Sequence, residues 1–277
     1  NTVNIFLNFF LKFQILPISF ALQILLCYNH NSFLKAATIV NLARNKEEAF
    51  PYEHKHRIKR VIPVALYTVF YLLCFSYLEN RHVRYHIIDS SLDDKIPFCE
   101  YFIIPYLLWF LYIAVTVGYF LFFNENTTEF WSLILNLAIG MTLFLIVSYV
   151  YPNGLNIRPT EFTTIGVFTR MVQFLYRTDT PTNVLPSIHV YNSVAAFSAI
   201  HTCKNLQKHK GIRTGSFILT TLIVLSTMFL KQHSIADVAT GITCAVATYV
   251  LFYSRAAEKQ GAKAKQRSPL HQHDTHM

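Results

Sequence analysis

The segment Lys231-Gln232-His233-Ser234-Ile235-Ala236-Asp237 places a histidine and an aspartate four residues apart. Where a helix begins across such a segment, both side chains leave from one face and reach each other. A carboxylate on one imidazole nitrogen fixes the tautomer and leaves the other nitrogen free to attack or to exchange a proton, as an oriented nucleophile requires. The same spacing also serves simply to hold a helical turn together, and the pair alone does not separate the two roles. A second cluster, Pro186-Ser187-Ile188-His189, combines a proline suited to a first helical turn with a serine suited to capping it. Free amides at such a helix start, around Ser187 and Ile188, form a cradle for an anion. His189 then lies beside the anion, placed to protonate a leaving alkoxide. The alternative for His189 is an interfacial imidazole bonded to a neighbour. Arg158 and Lys231 add fixed positive charge of the kind a phosphoryl group in transfer needs on its equatorial oxygens. Their other role is that of basic residues at the level of lipid headgroups.

These clusters gain meaning from the elements around them. The 277 residues are 53% hydrophobic and 14% charged, with the apolar residues gathered in long runs, which points to membrane insertion. A helix needs roughly 20 mostly apolar residues to cross ~30 Å of hydrocarbon. Six segments approach that requirement, near 61–79, 101–123, 130–151, 188–203, 214–231 and 235–253. The fourth and fifth are short for spans. The expected fold class is therefore all-α, a six-helix transmembrane bundle over residues 50–255, and one further membrane helix is possible within the apolar stretch Ile5 to Cys27 of an N-terminal extension, 1–49. Residues 256–277 read as a polar, disordered tail, although His271, His273 and His276 in it are potential metal ligands.

The net charge of +9 is a membrane signal more than a nucleic-acid one, because Lys and Arg sit in short blocks beside apolar runs. The blocks at 54–60, 204–213 and 255–267 are separated by even numbers of spans and so share one side. The positive-inside rule makes that side cytoplasmic, with both ends of the bundle inside. Segments 80–100, 152–187 and 231–234 then face outward, and all three polar clusters meet at that face. Cys27, Cys74, Cys99, Cys203 and Cys244 have no ligand-like spacing and read as packing residues or inert thiols. Asp89, Asp93, Asp94 and Glu100 read as a solvated loop, and the aromatic residues Phe162, Phe168, Phe174 and Tyr176 as one face of an amphipathic helix in the headgroup layer.

From about residue 50 to 255 the chain resembles the type 2 phosphatidic acid phosphatase superfamily, whose members have six spans and three motifs near the outer face. The motif Lys-x6-Arg-Pro aligns with Tyr151 to Pro159, Pro-Ser-Gly-His with Pro186 to His189, and Ser-Arg-x5-His-x3-Asp with Ser226 to Asp237. The resemblance implies a multi-pass cell-membrane enzyme with its active site on the outer face, acting on a phosphorylated lipid without metal or cofactor. It implies His233 as the nucleophile of a phosphohistidine, Asp237 as its orienting carboxylate and His189 as the general acid. Arg158, Ser187, Ile188 and Lys231 are the implied contacts to phosphate oxygens.

Tyr151, Ile188 and Thr227 replace the motif's Lys, Gly and Arg, so two cations of the usual clamp are missing. These departures resemble the inositol phosphorylceramide and sphingomyelin synthase branch, where a head group passes to a second alcohol. Hydrolysis of a lipid phosphate is the first expectation and head-group transfer the second. A non-catalytic transporter or scaffold, an inactive relative, or a metalloenzyme using His189, His233 and Asp237 as ligands are the readings from other classes.

Overall fold

A computed structural model describes residues 50–162 and 166–254 of the chain. The expected N-terminal helix and the histidine-bearing tail lie outside the described residues. Among the described residues there are seven α-helices: α1 (Phe50–Glu79), α2 (Ile103–Phe122), α3 (Thr127–Val150), α4 (Val167–Thr178), α5 (Ile188–Thr202), α6 (Lys210–Phe229) and α7 (Ile235–Tyr249). The last helix widens into a π-helical turn over Val250–Ser254. Two-residue strands β1 (His86–Ile87) and β2 (Asn153–Gly154) pair in parallel, His86 opposite Asn153.

Among the described residues, five helical segments are long and apolar enough to cross a membrane: Lys59–Glu79, Glu100–Phe122, Thr127–Val150, Lys210–Phe229 and Ile235–Tyr253. Helix α1 begins well before the apolar run that marks it in the sequence. Its first turns carry Glu, Lys and Arg, which favour helix without contributing to hydropathy. Helix α5 has only 15 residues, a length of about 22 Å, and it sits at the centre of the bundle, packed against α2, α3, α6 and α7. Its short length fits this interior position.

Two glycines allow the neighbours of α5 to approach closely. A Cβ on Gly140 of α3 would stand 1.9 Å from the Tyr191 ring, and one on Gly241 of α7 would stand 2.9 Å from the Ser187 carbonyl. The Tyr191 hydroxyl, deep in the resulting contact, bonds Asn136 Oδ1 at 2.7 Å and Thr248 Oγ1 at 3.0 Å, linking α5 to both α3 and α7.

The connections collect at two ends. At one end, Arg60 donates to Asn124 O at 3.0 Å and to Thr127 Oγ1 at 2.6 Å. Asn126 there caps α3 through the amides of Thr128 and Glu129. At the other end, Arg81 donates to the last carbonyls of α3, Ser148 O at 2.7 Å and Tyr149 O at 3.0 Å, a favourable place for a cation. The same end carries segment 151–187, which is closed at its base by Asn153 together with the Leu155 N to Pro181 O bond at 2.8 Å. The Asn153 side-chain oxygen accepts from the amides of Val184 and Leu185, and its carbonyl from Asn183 N, at 2.7–2.9 Å. Glu79, at the end of α1, binds Asn183 Nδ2 at 2.6 Å and also the Thr180 hydroxyl. Helix α4, inside this segment, buries Val172 and Leu175 against Ile103, Tyr106 and Leu230, while Val167 and Phe174 remain exposed.

Gly140→Ala is expected to cost about 1–3 kcal/mol through overpacking against Tyr191. Gly118→Ala, where a Cβ meets nothing within 4 Å, is the neutral control. Thermal unfolding in detergent should therefore separate the two variants, with only the first losing stability.

Candidate active site

The turn between α6 and α7 is built from backbone bonds that end at one threonine. Thr227 O accepts from Gln232 N at 2.9 Å and from His233 N at 3.1 Å, and its hydroxyl bonds Val224 O at 2.8 Å. Thr227, which stands where a clamp arginine was expected from the motif, thus shapes the turn. Lys231 completes the reversal with φ 52, a left-handed conformation that costs an L-residue roughly 1–2 kcal/mol. Helix α7 then starts with a capping box: Ser234 caps its first turn, and Asp237 Oδ2 accepts from Ser234 N at 3.0 Å.

The same Asp237 Oδ2 stands 3.3 Å from His233 Nδ1. One carboxylate therefore performs both roles open to the His233–Asp237 spacing, closing the turn and orienting the imidazole. Asp237 is fully buried and His233 retains 7% of its surface. Asp237 O also accepts from Ser187 N at 3.3 Å, so the start of α7 is tied to the residue that caps α5.

His189, in the first turn of α5, approaches from the other side. Its ring lies 5.7 Å from the His233 ring, centroid to centroid, and is held between Trp109 at 4.3 Å and Tyr106 at 4.8 Å. Both histidines line one cavity of about 80 Å³. Gln232, Asp179 and Asn183 give it a polar side, and Tyr106, Trp109, Phe75, Phe144 and Ile188 an apolar one.

Arg158 stands behind the polar side. Its guanidinium donates to Asp179 O at 2.7 Å and to Gln232 Oε1, lies over the Tyr176 ring at 4.6 Å, and is 3.8 Å from Asp179 Oδ2. Arg158 is thus next to the cavity through the two residues it holds. Ser187 is buried and caps α5, its hydroxyl accepting from Val190 N at 3.4 Å, while Ile188 contributes to the cavity wall. Tyr151, 43% exposed and stacked on His86 at 4.6 Å, brings no charge to the site.

One sequence expectation, that for Asp93, is corrected here, and Lys231 is placed away from the cavity wall. Lys231 does not point its charge at the cavity: its ammonium donates to Asp93 O and Ile96 O, both at 2.6 Å, and the residue is 9% exposed. Asp93, read as part of a solvated loop, is 3% exposed and hydrogen-bonded to the start of α7. Gln232, Tyr106, Trp109 and Asp179 join the histidines at the cavity without a sequence motif that marks them. Gln232 adjoins His233 in sequence, but no local pattern brings Tyr106, Trp109 or Asp179 to it.

Asp179 has two opposing influences on its proton. Burial raises its pKa above the ordinary carboxylate range, and the charges of Arg158 and His233 oppose that rise. Its side chain keeps 34% of its surface and forms part of the cavity wall. A proton on Asp179 would leave Arg158 less neutralised and the cavity more hospitable to an anion.

Comparisons with family models, curated proteins and solved structures find no match for the chain. The geometry and the motif resemblance therefore carry the functional reading.

A pKa raised by folding means that the folded state holds the proton more tightly than the unfolded chain. Stability from this group is accordingly full below the unfolded pKa, near pH ~4, and is lost as pH rises through the folded value. Asp179→Asn should remove that loss. Thermal midpoints measured from about pH 4 to neutrality should fall less steeply for the variant than for the wild type.

Proposed function

We propose that the chain is a multi-pass membrane enzyme that cleaves a phosphoric ester of a lipid through a phosphohistidine on His233. The observation that carries this reading is the facing pair of histidines on one cavity, with Asp237 behind His233 Nδ1 and an apolar wall opposite. The resemblance to the type 2 phosphatidic acid phosphatase superfamily supports the same assignment of roles.

With Nδ1 turned to Asp237, Nε2 of His233 supplies the attacking lone pair. The new N–P bond forms as the P–O bond to the lipid alcohol breaks, and protonated His189 gives its proton to the departing oxygen. The ester's negative charge favours that protonated state of His189. In the second half, neutral His189 takes a proton from water as the water oxygen attacks phosphorus. The N–P bond breaks and its electrons return to His233. Ester and water become alcohol and phosphate, and both histidines are restored. Arg158 supplies positive charge behind Gln232 and Asp179, and the apolar wall accommodates the hydrocarbon next to the ester.

The bundle that supports this reaction has six spans, α5 being the short central one, with both ends in the cytoplasm. The block from Lys204 to Arg213 follows α5 at the end of the bundle away from the histidines. By the positive-inside rule this puts the reaction at the outer face of the cell membrane.

A second reading is transfer of a phosphorylated head group to a lipid alcohol instead of to water. It is favoured by the scarcity of positive charge at the cavity: Tyr151 and Thr227 are neutral, and Lys231 is engaged elsewhere. A phosphodiester carries one negative charge and demands less compensation than a monoester dianion. The chemistry at His233 is common to both readings.

Purified protein given a panel of radiolabelled lipid phosphates and phosphodiesters should release phosphate or transfer a head group, and acid-labile label should be trapped on the chain. His233→Ala should abolish the adduct, and His189→Ala should slow turnover by about 10²–10⁴-fold. Equal behaviour of wild type and both variants on every substrate would exclude the enzymatic reading and favour a transporter or scaffold.

A further inference from the structure

The loop between β1 and α2 is far in sequence from the catalytic turn, yet it grips that turn at four residues, Phe229, Lys231, Ser234 and Ile235. Asp93 Oδ2 accepts from the Ser234 hydroxyl at 2.6 Å across 141 residues of chain, and Asp93 Oδ1 accepts from Ile235 N at 2.9 Å. Lys231 Nζ reaches back to Asp93 O and Ile96 O, and Cys99 N donates to Phe229 O at 3.0 Å. The anchored residues bracket His233 on both sides. Asp93 is itself fixed by its own loop, with Ser90 N donating to Oδ2 at 2.9 Å.

The backbone at Lys231 supports the same conclusion. Glycine adopts a φ of 52 without steric cost, whereas here a lysine adopts it. The two short bonds from its ammonium hold the side chain against the loop and offset that cost. Bonds from a charged donor in a site shielded from water are among the stronger hydrogen bonds.

We infer that Asp93 and Lys231 are positioning residues, a latch between the outer loop and the catalytic turn that sets His233 against Asp237 and His189. Neither residue lines the cavity, so the latch acts on the nucleophile's placement and leaves substrate contact to other groups. The kinetic part of this inference rests on the proposed phosphohistidine chemistry, and the structural part stands without it.

The test uses Asp93→Asn, Lys231→Met, Lys231→Gly and the Asp93→Asn/Lys231→Met double variant of the full chain in detergent. For a substrate turned over by wild type, each single variant should lower kcat by roughly ten- to a hundredfold, as expected for a displaced reacting group. KM and competitive inhibition by inorganic phosphate should stay within about twofold, and the double variant should be no worse than the poorer single one. Lys231→Gly relaxes the backbone while removing the ammonium, so it should fold readily and still lose kcat. If Lys231→Met instead raises KM and weakens phosphate inhibition while kcat holds, Lys231 is a phosphate ligand and the latch is wrong. Multiplying effects in the double variant would also overturn it.

Hydrogen exchange gives a readout that does not depend on activity. Amides of 231–236 should lose protection in Asp93→Asn and in Lys231→Gly while α2, α3 and α6 retain theirs. Unchanged protection at 231–236 sinks the latch even if the enzyme is active. Conversely, a wild type inactive on the whole panel, with protection lost as expected, would overturn the proposed function and leave the latch as a structural element.

Discussion

A turn buried between two helices must find partners for its backbone groups inside the protein, because an unpaired N–H or C=O shut away from water is costly. The α6–α7 turn meets this constraint with Thr227 O, which accepts two amides, and with Asp237 and Asp93, which accept the first amides of α7. The rest of the site depends on that solution. Once the turn is fixed, His233 has one orientation against Asp237, and His189 on the neighbouring helix completes the pair. An imidazole in such a setting is oriented by the same bonds that make the fold possible.

Close approach of helices is the second requirement. Gly140 and Gly241 remove the side chains that would keep α3 and α7 away from α5, and Tyr191 binds both across the gap. Because of this packing, the short α5 ends next to the start of α7, joined by the Ser187 N to Asp237 O bond. The cavity is thus bounded by residues far apart in the chain: Tyr106 and Trp109 of α2, Asp179 after α4, His189 of α5 and His233 after α6.

Much of this is legible from local pattern. The apolar runs identify the long helices, and the four-residue spacing of His233 and Asp237 holds because a helix does begin between them. The capping role of Ser187 follows from its residue type, while Pro186, expected in the first turn, stands before the cap. What escapes the sequence is pairing over distance. An aspartate in a polar loop looks the same whether it meets water or, like Asp93, the start of a helix 141 residues away. Nor does any local pattern show that the ammonium of Lys231, two residues before His233, is held by two carbonyls of another loop. Hydropathy likewise marks only the apolar part of α1, whose polar first turns have helix-forming residues but no membrane signal.

The closure made by Asn153 has an evolutionary corollary. It joins the two ends of the stretch from Leu155 to Asn183 before His189 is reached, so the chain enters α5 from a fixed point. That stretch contains α4, with its exposed Val167 and Phe174, and contributes Leu175 and Asp179 to the cavity wall. Within it, Val167 and Phe174 lie outside the core and are open to change, whereas Arg158, Val172, Leu175 and Asp179 are held by the cavity and the packing beneath it. Change confined to such exposed positions would leave the facing of His189 and His233 as it is.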